Sequence, residues 1–174
     1  MDVTKLDAAK SQIATAIRLY FEDCDPISVH TLVHAGCEIL DRLCEAKGTP
    51  GMRTDMMKRI KPEHRKTVSD KLNVAANFFK HAATSKPDLV LRDFDDESNL
   101  MGLIHATEGL RLLGVDLPHE MVFRACISIA QPDLLLKPLN REELVEIFGE
   151  AWGQSRAEQK KAGHNALSSA LSGN

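Results

Sequence analysis

The sequence lacks the motifs that mark several large classes of enzyme. Aromatic residues make up only 5% of its 174 residues, and its four cysteines form no C-x-x-C pair. It contains no G-x-S-x-G elbow, no H-E-x-x-H sequence and no glycine-rich phosphate loop. It therefore carries no signature of an α/β-hydrolase, a zinc protease or a P-loop nucleotide-binding protein, and no motif indicates a cofactor.

Long apolar stretches and a strong charge of one sign are also absent. No window approaches the roughly 20 apolar residues that span a bilayer, and the N-terminal MDVTKLDAAKSQ has no apolar signal core. The net charge of -3 argues against a broad DNA- or RNA-binding surface, because phosphate affinity comes from clustered Lys and Arg. Because no two cysteines form a C-x-x-C pair, we interpret all four as reduced thiols. We expect a cytoplasmic protein outside the membrane.

Apolar residues instead recur every three or four positions, which is the spacing of amphipathic helices. The pattern and its flanking cap residues predict an all-α, single-domain bundle of about six helices over residues 1–152, with no sheet. The predicted helices cover about 4–22, 26–46, 62–84, 97–113, 118–129 and 141–152, with a further short helix near 53–60. Residues 153–174 contain few large apolar side chains, so we expect a frayed or mobile tail there.

The second predicted helix carries a polar stripe at helical spacing, formed by His30, His34, Glu38, Asp41 and Glu45. Histidines at positions i and i+4, followed by a carboxylate one turn later, are able to share a metal ion inside a helical bundle. This makes His30, His34 and Glu38 candidate metal ligands. The alternative is a solvated face, because the apolar side of this helix lies almost opposite the stripe.

The long helix predicted over 62–84 has a second polar face, formed by Lys66, Asp70, Asn73, Asn77, Lys80 and His81. This face is also explained by exposure to water. Asn77, beside the titratable His81 and the charged Lys80, is nevertheless able to help bind a phosphate. The same residues are able to act as general acid and base if a second copy of the chain closes over them. His105, on a later helix, is assigned only a structural role.

The segment Asn77-Phe78-Phe79-Lys80-His81 resembles the end of the R-N-x-x-x-H signature of the HEPN superfamily. Members are helical bundles, many of them dimeric; in some, Arg and His residues from two subunits cleave RNA, and others are non-catalytic. The resemblance assigns Asn77 and His81 to the Asn and His of the signature. Ala76 stands where the Arg belongs and offers neither its charge nor its planar donors. The resemblance therefore implies a member that is not a standard ribonuclease.

The sequence leaves three functions open. The first is a non-catalytic interaction module, HEPN-like, acting as a homodimer or as half of a two-component system. The second is an RNA- or nucleotide-directed enzyme that uses His81, with Asn77 and Lys80 holding phosphate. The third is a metal-binding bundle built on His30, His34 and Glu38. The sequence does not determine whether the two polar faces converge on one cleft.

Overall fold

The fold is all-α, as the sequence predicts. A computed structural model describes residues 1–58, 61–80, 90–92, 94, 96–130, 140, 142, 144 and 155–173, and these contain no β-strand. The helices with described bounds are α1 (Lys5–Phe21), α2 (Pro26–Ala46), α3 (Met52–Lys58), α4 (Pro62–Lys80), α5 (Glu97–Leu112), α6 (Pro118–Ala130) and α7 (Arg156–Ser172). Of the helix predicted over 141–152, only residues 142 and 144 are described, and both are helical.

Local cap chemistry sets the N-terminal ends of the first two helices where the sequence predicts them. Thr4 and Asp7 form a capping box at the start of α1, each accepting a backbone N–H of the other at 3.1 Å. Asp25 accepts the backbone N–H of Ser28 at 2.9 Å, and Pro26 occupies the first position of α2. These caps satisfy amides that have no partner within the helix.

α2 is the central helix of the described fold. It contacts α1, α3, α4 and α5, which agrees with its wide apolar side. α2 and α5 run side by side in the same direction, as shown by contacts that advance along both helices: His30–Asn99, Cys37–Gly102, Asp41–His105 and Cys44–Gly109. The two helices therefore meet along their length.

The hydrophobic core lies mainly between α1, α2, α5 and α6. Its largest fully buried side chains include Ile13, Ile17, Leu40, Leu103 and Phe123. Tyr20, Phe21 and Phe123 contact one another at ring-centroid distances of 5.9–6.1 Å. None of the described helices combines the length and the apolar character needed to cross a membrane.

The expectation of a frayed tail over 153–174 is wrong for residues 156–172, which form α7. Ser155 begins this helix in a capping box with Glu158, whose carboxylate accepts the Ser155 N–H at 2.8 Å. Lys160, Gly163 and Leu167 are buried against α1 and α6. Counting large apolar side chains missed the helix, because its contact depends on a glycine and a lysine.

Asp96 lies at the N-cap position of α5 but does not cap the helix in the expected way. Its side chain makes no hydrogen bond to a helix amide. Its carboxylate instead accepts hydrogen bonds from Asn99, Arg156 and Lys160 at 3.1, 2.9 and 2.7 Å. Asp95 lies outside the described residues. Asp96 therefore joins α5 to α7.

Candidate functional site at the contact of α2 and α4

The polar faces of α2 and α4 meet near the C-terminal end of α4. The Nζ atom of Lys80 lies 3.8 Å from Oε2 of Glu38. The rings of His30 and Phe79 also contact each other, with centroids 5.7 Å apart. His81 lies outside the described residues. The described part of the contact is a mixed aromatic and charged one.

His30 is buried in this contact, with 8% of its surface exposed. The rings of Phe79 and Phe94 pack against its imidazole in T-shaped geometry, at 5.7 and 5.3 Å between centroids. The two phenylalanines also contact each other at 5.1 Å. The interpretation of the α2 stripe as a solvated face is therefore wrong at His30, because α4 and the chain before α5 cover it.

Asn99 of α5 fixes the tautomer of the neutral His30 ring. The amide nitrogen of Asn99 donates to the carbonyl oxygen of Pro26 at 3.0 Å and to Oδ1 of Asp96 at 3.1 Å. Both amide hydrogens are thus engaged, and the amide oxygen faces Nδ1 of His30 at 3.1 Å. Because that oxygen only accepts, Nδ1 must carry a hydrogen. Nε2 is therefore the unprotonated nitrogen of the neutral ring.

The environment of His30 favours this neutral form. Burial lowers the pKa of His30 most, and the nearby charge of Lys80 lowers it further, while the hydrogen bond to Asn99 raises it. The net pKa lies below the ordinary value of 6.5. Nε2 is buried and has no hydrogen-bond partner among the described residues. A proton at Nε2 would consequently have no acceptor in its described surroundings.

His30, His34 and Glu38 do not form a set of metal ligands. Within the described ranges, no three or more His, Cys, Asp or Glu side chains lie together as a metal site requires. Nδ1 of His30 is used by Asn99, and the side chain of Glu38 is 71% exposed and faces Lys80. The rings of His30 and His34 contact each other, with centroids 5.7 Å apart, but no third ligand joins them within the described ranges.

The signature positions on α4 face different directions. Ala76 is 2% exposed, whereas Asn77, the next residue, is exposed to solvent. The side chain of Lys80 is directed toward Glu38. The position that the resemblance assigns to a catalytic arginine is therefore in the protein interior.

A histidine–carboxylate pair that the sequence analysis missed joins α2 to α5. Nε2 of His105 lies 3.1 Å from Oδ1 of Asp41, although 64 positions separate the two residues. Asn99 was missed for the same reason, since no local spacing connects it to His30. A parallel arrangement of two helices leaves no signal in the sequence of either one.

Two of the cysteines near these elements have the properties of inert thiols. The Sγ atom of Cys37 lies 3.5 Å from the carbonyl oxygen of Gly102, and burial raises the pKa of this thiol far above its usual range. Burial also raises the pKa of Cys126. Because the thiolate is the reactive form, neither residue is suited to nucleophilic attack. Cys37 is therefore not a nucleophile for which His105 acts as the base.

No protein-family model, curated protein or solved structure matches this chain.

Proposed function

We propose that this chain is a non-catalytic helical interaction module that pairs with a second copy of itself. The observation that carries the proposal is the burial of Ala76, which is 2% exposed. An HEPN-like ribonuclease needs a guanidinium at this position to hold phosphate. An interior alanine supplies no charge, and the neighbouring Lys80 is directed toward a carboxylate of α2.

The outward side of α4 is the surface that we assign to self-association. Val74 is 51% exposed, and Asn77, three positions later on the same side, is also exposed. A β-branched apolar side chain between polar neighbours gives a helix face that is able to pack against its own copy. Dimerisation is also what the HEPN resemblance implies. The unpaired cysteines further support a reducing, cytoplasmic setting.

Self-association is tested by sedimentation equilibrium over a range of concentrations. We expect the wild-type chain to dimerise and Val74→Ser to weaken the dimer about tenfold or more, a loss in the range of an interface residue. Met121→Ser is the matched control, because Met121 is 58% exposed on a different helix. A wild-type monomer at all concentrations, or equal weakening by both variants, would contradict the assignment to α4.

Catalysis is tested separately with the same preparations. We expect no cleavage of a mixed RNA pool by the wild-type chain. Cleavage that is lost in His81→Ala, at matched circular dichroism, would overturn the non-catalytic assignment in favour of an RNA-directed enzyme using His81, Asn77 and Lys80. Cleavage that persists equally in His81→Ala would indicate a contaminating nuclease and would leave the assignment standing.

A further inference from the structure

The apolar contact of α7 with the rest of the protein is small. Among its 17 residues, only Lys160, Gly163 and Leu167 are buried, and Ala162 and Ala166 pack partly against the core. By comparison, α2 buries seven of its 21 residues. Hydrophobic burial grows with the apolar area removed from water, so it holds α7 less firmly than the central helix.

Ion pairs supply the rest of the attachment. Nζ of Lys160 lies 2.6 Å from Oδ1 of Asp23 and 2.7 Å from Oδ2 of Asp96. The same ammonium group lies 4.6 Å from the ring centroid of Tyr20. Burial by itself would lower the pKa of Lys160, but the hydrogen bonds and charges of Asp23 and Asp96 outweigh burial and raise it. We call this arrangement of Lys160, Asp23, Asp96 and Tyr20 the lysine clamp.

The surface beneath α7 is aromatic and incompletely filled. A cavity of about 20 Å³ lies between α7, α1 and α6, and its walls combine Tyr20, Phe21, Cys126 and Ile127 with Arg156, Gln159 and Lys160 of α7. A space of this size holds about one water molecule. Phe21 also contacts Gly163 so closely that a Cβ atom there would overlap its ring. The surface thus accepts a helix that carries a small residue opposite Phe21.

We propose that α7 is a displaceable cover over a docking surface for a partner helix. The surface is formed by Tyr20, Phe21, Cys126 and Ile127, with Asp23 and Asp96 at its edge. The partner is a helix with the pattern that α7 shows: a basic residue, a small residue three positions later and a leucine four positions after that. This surface is separate from the outward side of α4, so the proposal does not depend on self-association there.

The chemistry of this contact suits reversible exchange. A partner helix that carries the same basic, small and apolar groups replaces each contact of α7 with an equivalent one. α7 competes with an advantage, because it is covalently attached and has a high effective concentration. Weakening the lysine clamp reduces that advantage, so it should admit a helix supplied in trans.

The first measurement is hydrogen exchange on the full chain carrying Lys160→Gln. We expect faster exchange of the α7 amides in this variant, with α1 and α2 unchanged. Lys161→Gln is the matched control, since it makes the same change of charge at an exposed neighbouring residue. Asp23→Asn removes one of the two carboxylates and replaces the first variant if Lys160→Gln does not fold. Equal α7 exchange in clamp and control variants would overturn the proposal.

The second measurement uses a fluorescein-labelled peptide of residues 155–173 as the partner helix. By fluorescence anisotropy we expect it to bind the clamp variant about tenfold or more tightly than wild type or Lys161→Gln, because the competent surface is more often free. The same peptide with Lys160→Gln should bind more weakly. Faster exchange of the α7 amides without any binding of the peptide would overturn the proposal of a docking surface. Equal affinity of the peptide for all three chains would also overturn it.

Discussion

The imidazole of His30 has one nitrogen engaged by Asn99 and another buried among phenylalanine rings. Because the pKa of His30 is lowered in the folded state, the unfolded chain binds more protons between that pKa and about 6.5. The contribution of the neutral imidazole to the free energy of unfolding is therefore fully present above about pH 6.5. It is lost as the pH falls toward the pKa of His30 in the folded state.

We expect His30→Gln to reduce the fall in stability on acidification. Urea unfolding between about pH 5 and 7.5 measures this as the difference in slope of the free energy of unfolding against pH. His164→Gln, on α7, controls for removing any histidine. Parallel slopes for wild type and His30→Gln would contradict the burial of a neutral imidazole.

Ala76 allows a second test at the scale of one residue. Restoring the signature arginine with Ala76→Arg should destabilise the chain by about 3 kcal/mol or more, because it places an unpaired charge in the interior. Asn77→Arg, one position later and exposed, should leave the free energy of unfolding nearly unchanged. Thermal unfolding compares the two. Equal stability of both variants, or RNA cleavage by Ala76→Arg, would contradict the interior position.

At the scale of helices, the sequence predicts where a helix begins and ends better than where it packs. Thr4 and Asp25 cap α1 and α2 as expected, because capping depends on residues within four positions of one another. Gly48 and Gly114 follow α2 and α5 with φ of +77° and +70°, a backbone conformation that glycine adopts without strain. These signals are local, and sequence analysis detects them.

α7 shows where local signals fail. Its helix propensity and its Ser155 capping box are readable from the sequence, but its docking depends on Gly163 meeting Phe21, 142 positions away. Gly163→Ala should raise helix propensity by about 1 kcal/mol in an isolated helix. We expect instead a net loss of about 1–3 kcal/mol, because the added Cβ overlaps the Phe21 ring.

Denaturant unfolding with far-UV circular dichroism measures this change. Asn165→Ala is the control on the same helix, since Asn165 is exposed and the substitution tests propensity without a new contact. A Gly163→Ala protein more stable than wild type would show that α7 does not pack against Phe21 at this residue.

At the scale of the whole molecule, a buried ion network connects α5 to α6. Arg124 lies 3.3 Å from Glu120 and 3.8 Å from Glu108, and Arg111 lies 2.7 Å from Glu108. The two glutamates are 2% and 1% exposed. Burial raises the pKa of Glu120 above its usual value, although Arg124 opposes this effect. The arginine therefore compensates for carboxylates that have little access to water.

Arg124→Met should destabilise the chain by about 3–5 kcal/mol at neutral pH, because it leaves buried carboxylate charge uncompensated. The loss should be smaller near pH 4, where Glu120, with its raised pKa, is protonated and neutral. Arg42→Met removes an exposed ion pair with Glu45 and should change stability little. Chemical unfolding at both pH values measures the effect, and a loss that is independent of pH would contradict the assignment to Glu120.

The sequence by itself determined the all-α class and most of the described helix boundaries. These features follow from the hydrophobic periodicity, the helix-capping residues and the helix-breaking residues, all of which act over a few positions. Tertiary structure alone decided that His30 is buried beneath Phe79 and Phe94, that Asn99 fixes its tautomer, and that Asp41 meets His105. The physical reason is that periodicity gives each helix its faces, whereas long-range packing decides which faces meet.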